Sequence, residues 1–387
     1  MIDPVTALYA LLGGVGLVTA DAYLSSYTIH LETIVAPVYV ESGFERQLVE
    51  ALFIAELEDI IDADSIVPAP HLLSTRDKPV SSALADAAGL SHAFEAAKSS
   101  IGAGHPTIIL SALAGNQNGK EIKRIVIAGD TSEGKNISIS IPLNDRSLDD
   151  ALSEAAFKAM KEINPYVTAL HALEVAEAKN EKPFEAELLI SEAITRSSKD
   201  EVDPSRALLE NLMGLTQLFL NDHLASKLWF EKALNSDNSL VMATLNLAYV
   251  EAVDGNCKES MTLLEPLLEP TYWVIPPDKK ILYPANNLLG ICASRLGRFD
   301  SANASFKDAA TVRPDGTSVY YYWAKSLLKE GRKEQAETKY RLAQRNISRM
   351  DDVPEIAMLH LWLPDQGSVT LMRRQPNLPA LETPLID

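Results

Sequence analysis

Cysteine is almost absent: the 387 residues contain only Cys257 and Cys292, and no CxxC pair. A disulfide-stapled scaffold and a thiolate zinc site are therefore excluded, while a single bridge between these two remains open. Positive charge is also scarce, with 35 Lys and Arg against 53 Asp and Glu and a net charge of −18. A surface that acidic repels phosphate backbones, which argues against nucleic acid as a partner. The seven histidines form no HExxH, and there is no GxSxG elbow. His171 and Glu174 lie one helical turn apart, but no further residue completes a ligand set. No cofactor or metal is expected, and binding is a better reading than catalysis. Finally, no Lys or Arg precedes Arg46. A secretory signal peptide would need a basic start, and the positive-inside rule has nothing to count here.

What is present begins with an uncharged run, Pro4 to Ala20, bounded by Asp3 and Asp21. A membrane-spanning helix needs about 20 apolar residues, with a floor near 17. The run meets that floor, so residues 1–27 are read as a membrane-anchor helix. Ala10 and Gly14 make a small-xxx-small pair that would let a second membrane helix approach. The alternative is a buried helix covering the next domain. Gly14-Val15-Gly16 is not a dinucleotide loop, because no strand precedes it and Thr19 replaces the third glycine.

Residues 28–164 read as a small α/β domain. Strands are predicted at Ile29 to Val40, Thr107 to Ala112, Glu121 to Ala128 and Asn136 to Ile141. Helices are predicted at Phe44 to Ile61, Ser81 to Ile101 and Leu148 to Ile163, the last capped by Asp145 or Ser147. Pro68 and Pro70 read as breaks, and Asn118-Gly119 and Glu133-Gly134 as hairpin turns. The segment Gly129 to Asn136 has the spacing of a phosphate-binding GxxxxGK loop, but Asn136 stands where the magnesium-ligating hydroxyl belongs. The segment after it alternates as a strand rather than opening a helix, so a hairpin turn is expected. The element order resembles the TolB-amino-terminal-like α/β domain that precedes repeat arrays in some bacterial membrane proteins.

The strongest periodicity is one of 34 residues. With a unit starting at Tyr283, Leu289, Gly290, Gly297, Phe299, Ala302, Phe306, Ala309 and Pro314 fall at fixed offsets. Trp323, Ala324, Gly331, Ala336, Tyr340 and Ala343 follow 34 residues later. Earlier units start at Ala207, with Gly214, Phe230 and Ala233, and at Val241, with Leu247, Ala248, Gly255 and Leu264. Small residues are read as letting two antiparallel helices approach, Gly290 with Ala302 and Ala324 with Ala336. Phe306 and Tyr340 are read as filling the gap to the next hairpin. This pattern resembles the tetratricopeptide repeat family. An insertion interrupts it within Glu269 to Lys280. Residues 165–205 read as a degenerate hairpin with Ala186 and Ala193 in the small positions. Residues 206–350 hold four repeats. Residues 351–387 are a C-terminal cap, Val353 to Leu363, and a mobile tail.

The resemblance implies a right-handed solenoid whose concave face, lined by the first helix of each hairpin, binds an extended peptide or amphipathic helix. In family register that face carries Asn211, Leu215, Leu245, Asn246, Tyr249, Asn287, Ile291, Tyr321, Tyr322 and Lys325. Leu215, Pro284 and Leu288 stand where a chaperone-tail clamp would need cations. The expected fold class is thus α plus α/β: an N-terminal transmembrane helix, a small α/β domain and a tetratricopeptide-like solenoid. The expected role is a membrane-anchored scaffold or adaptor, or a subunit of a membrane-associated complex. The likeness to the α/β domain points to the bacterial inner membrane. The alternative is a ligand-binding or enzymatic α/β domain regulated by the repeats.

Overall fold

The computed structural model describes residues 28–37, 45–63, 71–74, 106–117, 120–131, 135–143, 146–179, 181–197, 204–268 and 279–346. The predicted anchor with Ala10 and Gly14, the helix at Ser81 to Ile101, the insertion and the C-terminal cap lie outside those residues. Among the described residues no helix is long and apolar enough to cross a membrane. The chain divides into two compact units, and the division falls inside one helix, between His171 and Ala172.

The first unit contains β1 (Thr28–Val35), α1 (Arg46–Ile61), β2 (His71–Ser74), β3 (Thr107–Gln117), β4 (Lys120–Asp130), β5 (Asn136–Pro142) and α2 (Leu148–Ile163). The strands form one sheet in the order β2-β1-β3-β4-β5. β1 pairs in parallel with β2 and β3, and the remaining pairs are antiparallel. Side chains alternate across a strand, so Ile29, Leu31, Ile108, Leu110, Ile125, Ile127, Ile137 and Ile141 share the buried face. Helix α1 covers it with Val49, Phe53, Leu57 and Ile60, at helical spacing. Helix α2 brings Ala151, Ala155, Ala156 and Ala159 with Leu152 and Met160, a flat face that packs close. Ser147 caps α2, its Oγ accepting from the Asp150 amide at 3.0 Å, an interaction worth about 1 kcal/mol.

Strand β2 was not anticipated. It is four residues long and follows two prolines, and only its pairing with β1 defines it. Strand β3 runs past its predicted end at Ala112, because the ladder to β4 continues to Gln117 opposite Lys120. The phosphate-loop lookalike joins antiparallel strands: Asp130 pairs with Asn136, and the Thr131 amide donates to the Lys135 carbonyl at 2.9 Å. No helix N-terminus follows it to hold an anion.

The helices after α2 are α3 (Pro165–Lys179), α4 (Phe184–Arg196), α5 (Pro204–Phe219), α6 (His223–Ser236), α7 (Val241–Val253), α8 (Cys257–Leu268), α9 (Lys279–Arg295), α10 (Phe299–Val312), α11 (Thr317–Lys329) and α12 (Lys333–Asn346). The last eight pair as α5–α6, α7–α8, α9–α10 and α11–α12. These are the four hairpins of the 34-residue pattern.

Each hairpin turn repeats one geometry. Gly255, Gly297 and Gly331 have φ of 87°, 73° and 88°, and Asn221 takes the same place with φ 62°. The following amide then reaches back to the helix: Asp222 to Gln217 at 2.9 Å, and Asn256 to Glu251, Arg298 to Ala293 and Arg332 to Leu327 at 2.8 Å. Left-handed backbone favours glycine, with asparagine as the tolerated substitute. This is why the first repeat has no glycine there yet turns like the others.

Inside the hairpins the glycines make room for phenylalanine. A Cβ added to Gly290 would lie 2.7 Å from the Phe306 ring, and one added to Gly214 would lie 2.4 Å from Phe230. Phe306 therefore fills the space above Gly290 within its own hairpin, a role added to the bridge to the next hairpin read from sequence. Its ring also meets Trp323 of the next hairpin, stacked at 6.3 Å between centroids.

Candidate interaction face of the helical array

The first helix of each hairpin carries the residues assigned to the concave face, and burial is their common feature. Asn211, Leu245, Asn246 and Asn287 have no exposed surface, Tyr249 and Tyr321 show 2%, Ile291 4% and Lys325 6%. Ala186 and Ile190 are as buried, so burial alone does not single the face out. Its polarity does.

Asparagine recurs on three of these helices. Asn246 on α7 donates through Nδ2 to Asn211 Oδ1 on α5 at 3.0 Å. Asn287 on α9 donates through Nδ2 to Ser318 Oγ on α11 at 3.0 Å, and Tyr283 shares that hydroxyl at 2.8 Å. Neighbouring hairpins are thus tied by side-chain amides. Two amide atoms are left over: Asn211 Nδ2, a donor, and Asn287 Oδ1, an acceptor, have no hydrogen-bond partner among the described residues. A buried polar atom in that state costs about 1–3 kcal/mol. On α11, Tyr321 meets Tyr322 edge-on at 5.2 Å, and Lys325 Nζ lies 5.3 Å from the Tyr321 ring centre.

A second constellation was not read from sequence. Buried Glu251 on α7 accepts from Lys227 on α6, and from Asn256 Nδ2 at 2.9 Å. The hydrogen bond to Glu251 raises the Lys227 ammonium above its ordinary value. Likewise buried Glu210 accepts from Arg206 Nε at 3.0 Å and Ser236 Oγ at 2.6 Å. Arg295 of α9 donates to the Ala252 carbonyl at the end of α7 at 2.6 Å. Lys227, Glu251, Asn256, Cys257 and Leu296 are among the residues around an open cleft of about 620 Å³. The sequence signal was weak, because Lys227 lies 24 residues from Glu251, Ser236 lies 26 from Glu210 and Arg295 lies 43 from Ala252. Among the described residues, no group of three or more His, Cys, Asp or Glu side chains could hold a metal ion. His171 Nε2 instead lies 3.9 Å from Asp59.

Four helix pairs with one turn geometry and a small residue at the same inner position have the form of a tetratricopeptide-type array. No family model matches the sequence, and no curated protein matches it. Solved structures of MamA are similar to it. The protein of strain AMB-1 is 20% identical, covering 46% of this chain and 95% of that one, with a TM-score of 0.36. MamA 41-end from Desulfovibrio magneticus RS-1 is 15% identical, covering 49% of this chain and 98% of that one, with a TM-score of 0.38. The repeat assignment rests on the hairpins themselves.

Proposed function

We propose that the chain is an interaction scaffold whose array takes a peptide segment of a partner protein along α5, α7, α9 and α11, and that it acts by binding rather than catalysis. The observation that carries this reading is the pair of unpartnered amide atoms, Asn211 Nδ2 and Asn287 Oδ1. An extended peptide offers a carbonyl for the first and an amide for the second, on two helices of one array. The apolar neighbours Leu245, Tyr249, Ile291 and Tyr321 then favour a ligand with alternating or one-sided hydrophobic residues. Because all of these side chains are buried, binding has to expose them first, and the apparent affinity falls by the open fraction.

The finer reading adds a membrane. Residues 4–20 supply the anchor, Ala10 and Gly14 the contact to a second membrane helix, and a bacterial inner membrane the location. High-salt and detergent extraction tests it: release into a high-speed supernatant without detergent removes the anchor.

The binding face is tested by probing an array of extended and amphipathic peptides with the full chain. Bound peptides are then titrated by fluorescence anisotropy against Asn211→Ala and Asn287→Ala. Losing one hydrogen bond costs about 1 kcal/mol, roughly fivefold in Kd. Peptides that bind both variants as tightly as the parent chain would place the contact elsewhere.

A further inference from the structure

The two cysteines, 35 positions apart in sequence, are neighbours in the fold. Cys257 is the first residue of α8, in the second hairpin, and Cys292 sits on α9, in the third. Both are free and buried, at 3% and 0% exposure. Helices α8 and α9 pack against each other, which brings the two thiols near enough to act on one another, with Arg295 close to Cys257 and Ser260 close to Cys292. The two are not equivalent. Cys257 borders the open cleft, at a helix N-terminus and next to a cation, which is where a thiolate is stabilised and reachable. Cys292 has no exposed surface, so its nearest reaction partner is the other sulfur.

We propose that Cys257 and Cys292 are a paired oxidation site, with Cys257 the thiol that reacts with a hydroperoxide and Cys292 the thiol that resolves it into a disulfide between the second and third hairpins. In the first step the Cys257 thiolate attacks the outer peroxide oxygen. The O–O bond breaks, the alkoxide or hydroxide leaves and takes up a proton, and Cys257 becomes a sulfenic acid. In the second, the Cys292 sulfur attacks Cys257 Sγ, the S–O bond breaks, and water leaves with the Cys292 proton. Two electrons pass from the two thiols to the peroxide.

The electrostatics support this order. The hydrogen bond from Cys292, with Arg295 alongside, brings the Cys257 thiol down to about 7 against the opposing effect of burial. The same contact and burial together push Cys292 up. Of the charges that border the cleft with Glu231, Lys258 and Glu259, Glu251 and Lys227 are paired with each other, and Arg295 is the cation that acts on Cys257. The bridge falls where the 34-residue spacing is broken, between α8 and α9. The site is therefore a lock on the junction at which the 34-residue spacing is interrupted.

The experiment treats the full chain, reduced and exchanged free of reductant, with about one equivalent of hydrogen peroxide. Thiols are then counted in denaturant and the intact mass recorded. The expected result is loss of both thiols in a monomeric chain about 2 Da lighter, reversed by a dithiol reductant. Closing a loop of about 35 residues raises the melting temperature by roughly 5–10 °C. Limited alkylation of the untreated chain, mapped by peptide mass, labels Cys257 before Cys292. In Cys292→Ser, a 1,3-dione reagent traps Cys257 as sulfenic acid. Two thiols surviving the peroxide, a bridge between chains, or earlier labelling of Cys292 would overturn the proposal. The alkylation order needs no variant, so a poorly folding Cys292→Ser does not shelter it.

Discussion

Replacing Gly290 with alanine puts two known effects in opposition. In a helix interior alanine is better than glycine by about 1 kcal/mol, so a free helix would be stabilised. Here the added Cβ would sit 2.7 Å from two atoms of the Phe306 ring, inside any real contact distance. Phe306 is fully buried and stacked against Trp323, so it has little room to retreat. Overpacking of this kind costs about 1–3 kcal/mol, and such close contacts place it at the upper end. The net expectation for Gly290→Ala is a loss of about 1–2 kcal/mol. Phe306→Leu removes the clash and leaves a cavity costing about 1–2 kcal/mol on its own. In that background Gly290→Ala should be neutral or stabilising, a coupling of about 2 kcal/mol. Urea unfolding of the full chain, followed by helical circular dichroism, reads this as a midpoint shift of roughly 0.5–1 M for the single variant. A Gly290→Ala chain as stable as the parent, or additive effects in the double variant, would refute the packing argument.

The turn positions give a second test: Asn221→Gly should raise stability by a few tenths to 1 kcal/mol, while Gly297→Ala lowers it by about 1 kcal/mol with Gly297→Asn in between. No atom lies within 4 Å of an added Cβ at Gly297, so only backbone strain is being measured; equal stability of all three Gly297 forms would contradict it. Alkaline pH gives a third. Burial raises the phenols of Tyr249, Tyr283 and Tyr320 above their ordinary value, so the folded chain holds protons that the unfolded chain releases above about pH 10. Their contribution is whole below that pH and lost as it rises further. Helix content should then fall together with the last tyrosinate absorbance, and ionisation of all 12 tyrosines before any helix is lost would show these three are not buried.

The repeats were legible because each contact that builds a hairpin lies within 34 residues and recurs. Gly214 with Phe230 and Gly290 with Phe306 are 16 apart, as are Ala248 with Leu264 and Ala324 with Tyr340. Where the second residue is a fully buried phenylalanine the first is glycine. Where it is leucine, or a half-buried tyrosine, alanine fits. Asn221 was missed because the pattern was sought as glycine, although what the turn selects is a positive φ. Strand β2 was missed because four residues carry no periodicity, and its only definition is a partner 43 positions away.

The contacts between hairpins were not legible, for the same physical reason in reverse. A hairpin contact is made four times and must meet one geometry, so its residues repeat. A contact between hairpins is made once at each junction and can be solved separately. The first junction uses Asn211 with Asn246, the third uses Asn287 and Tyr283 with Ser318, and the second sets Cys257 against Cys292 with Arg295 reaching the Ala252 carbonyl. Asn211 and Asn287 share one register position and were assigned from it with Asn246, but the partners taken across each junction follow no period, so a search for repeats passes over those pairings. Yet they decide how the first helices stand beside one another, and hence whether Asn211 and Asn287 can be reached by a ligand. The chemistry that distinguishes this chain is therefore concentrated in pairings that its pattern does not repeat.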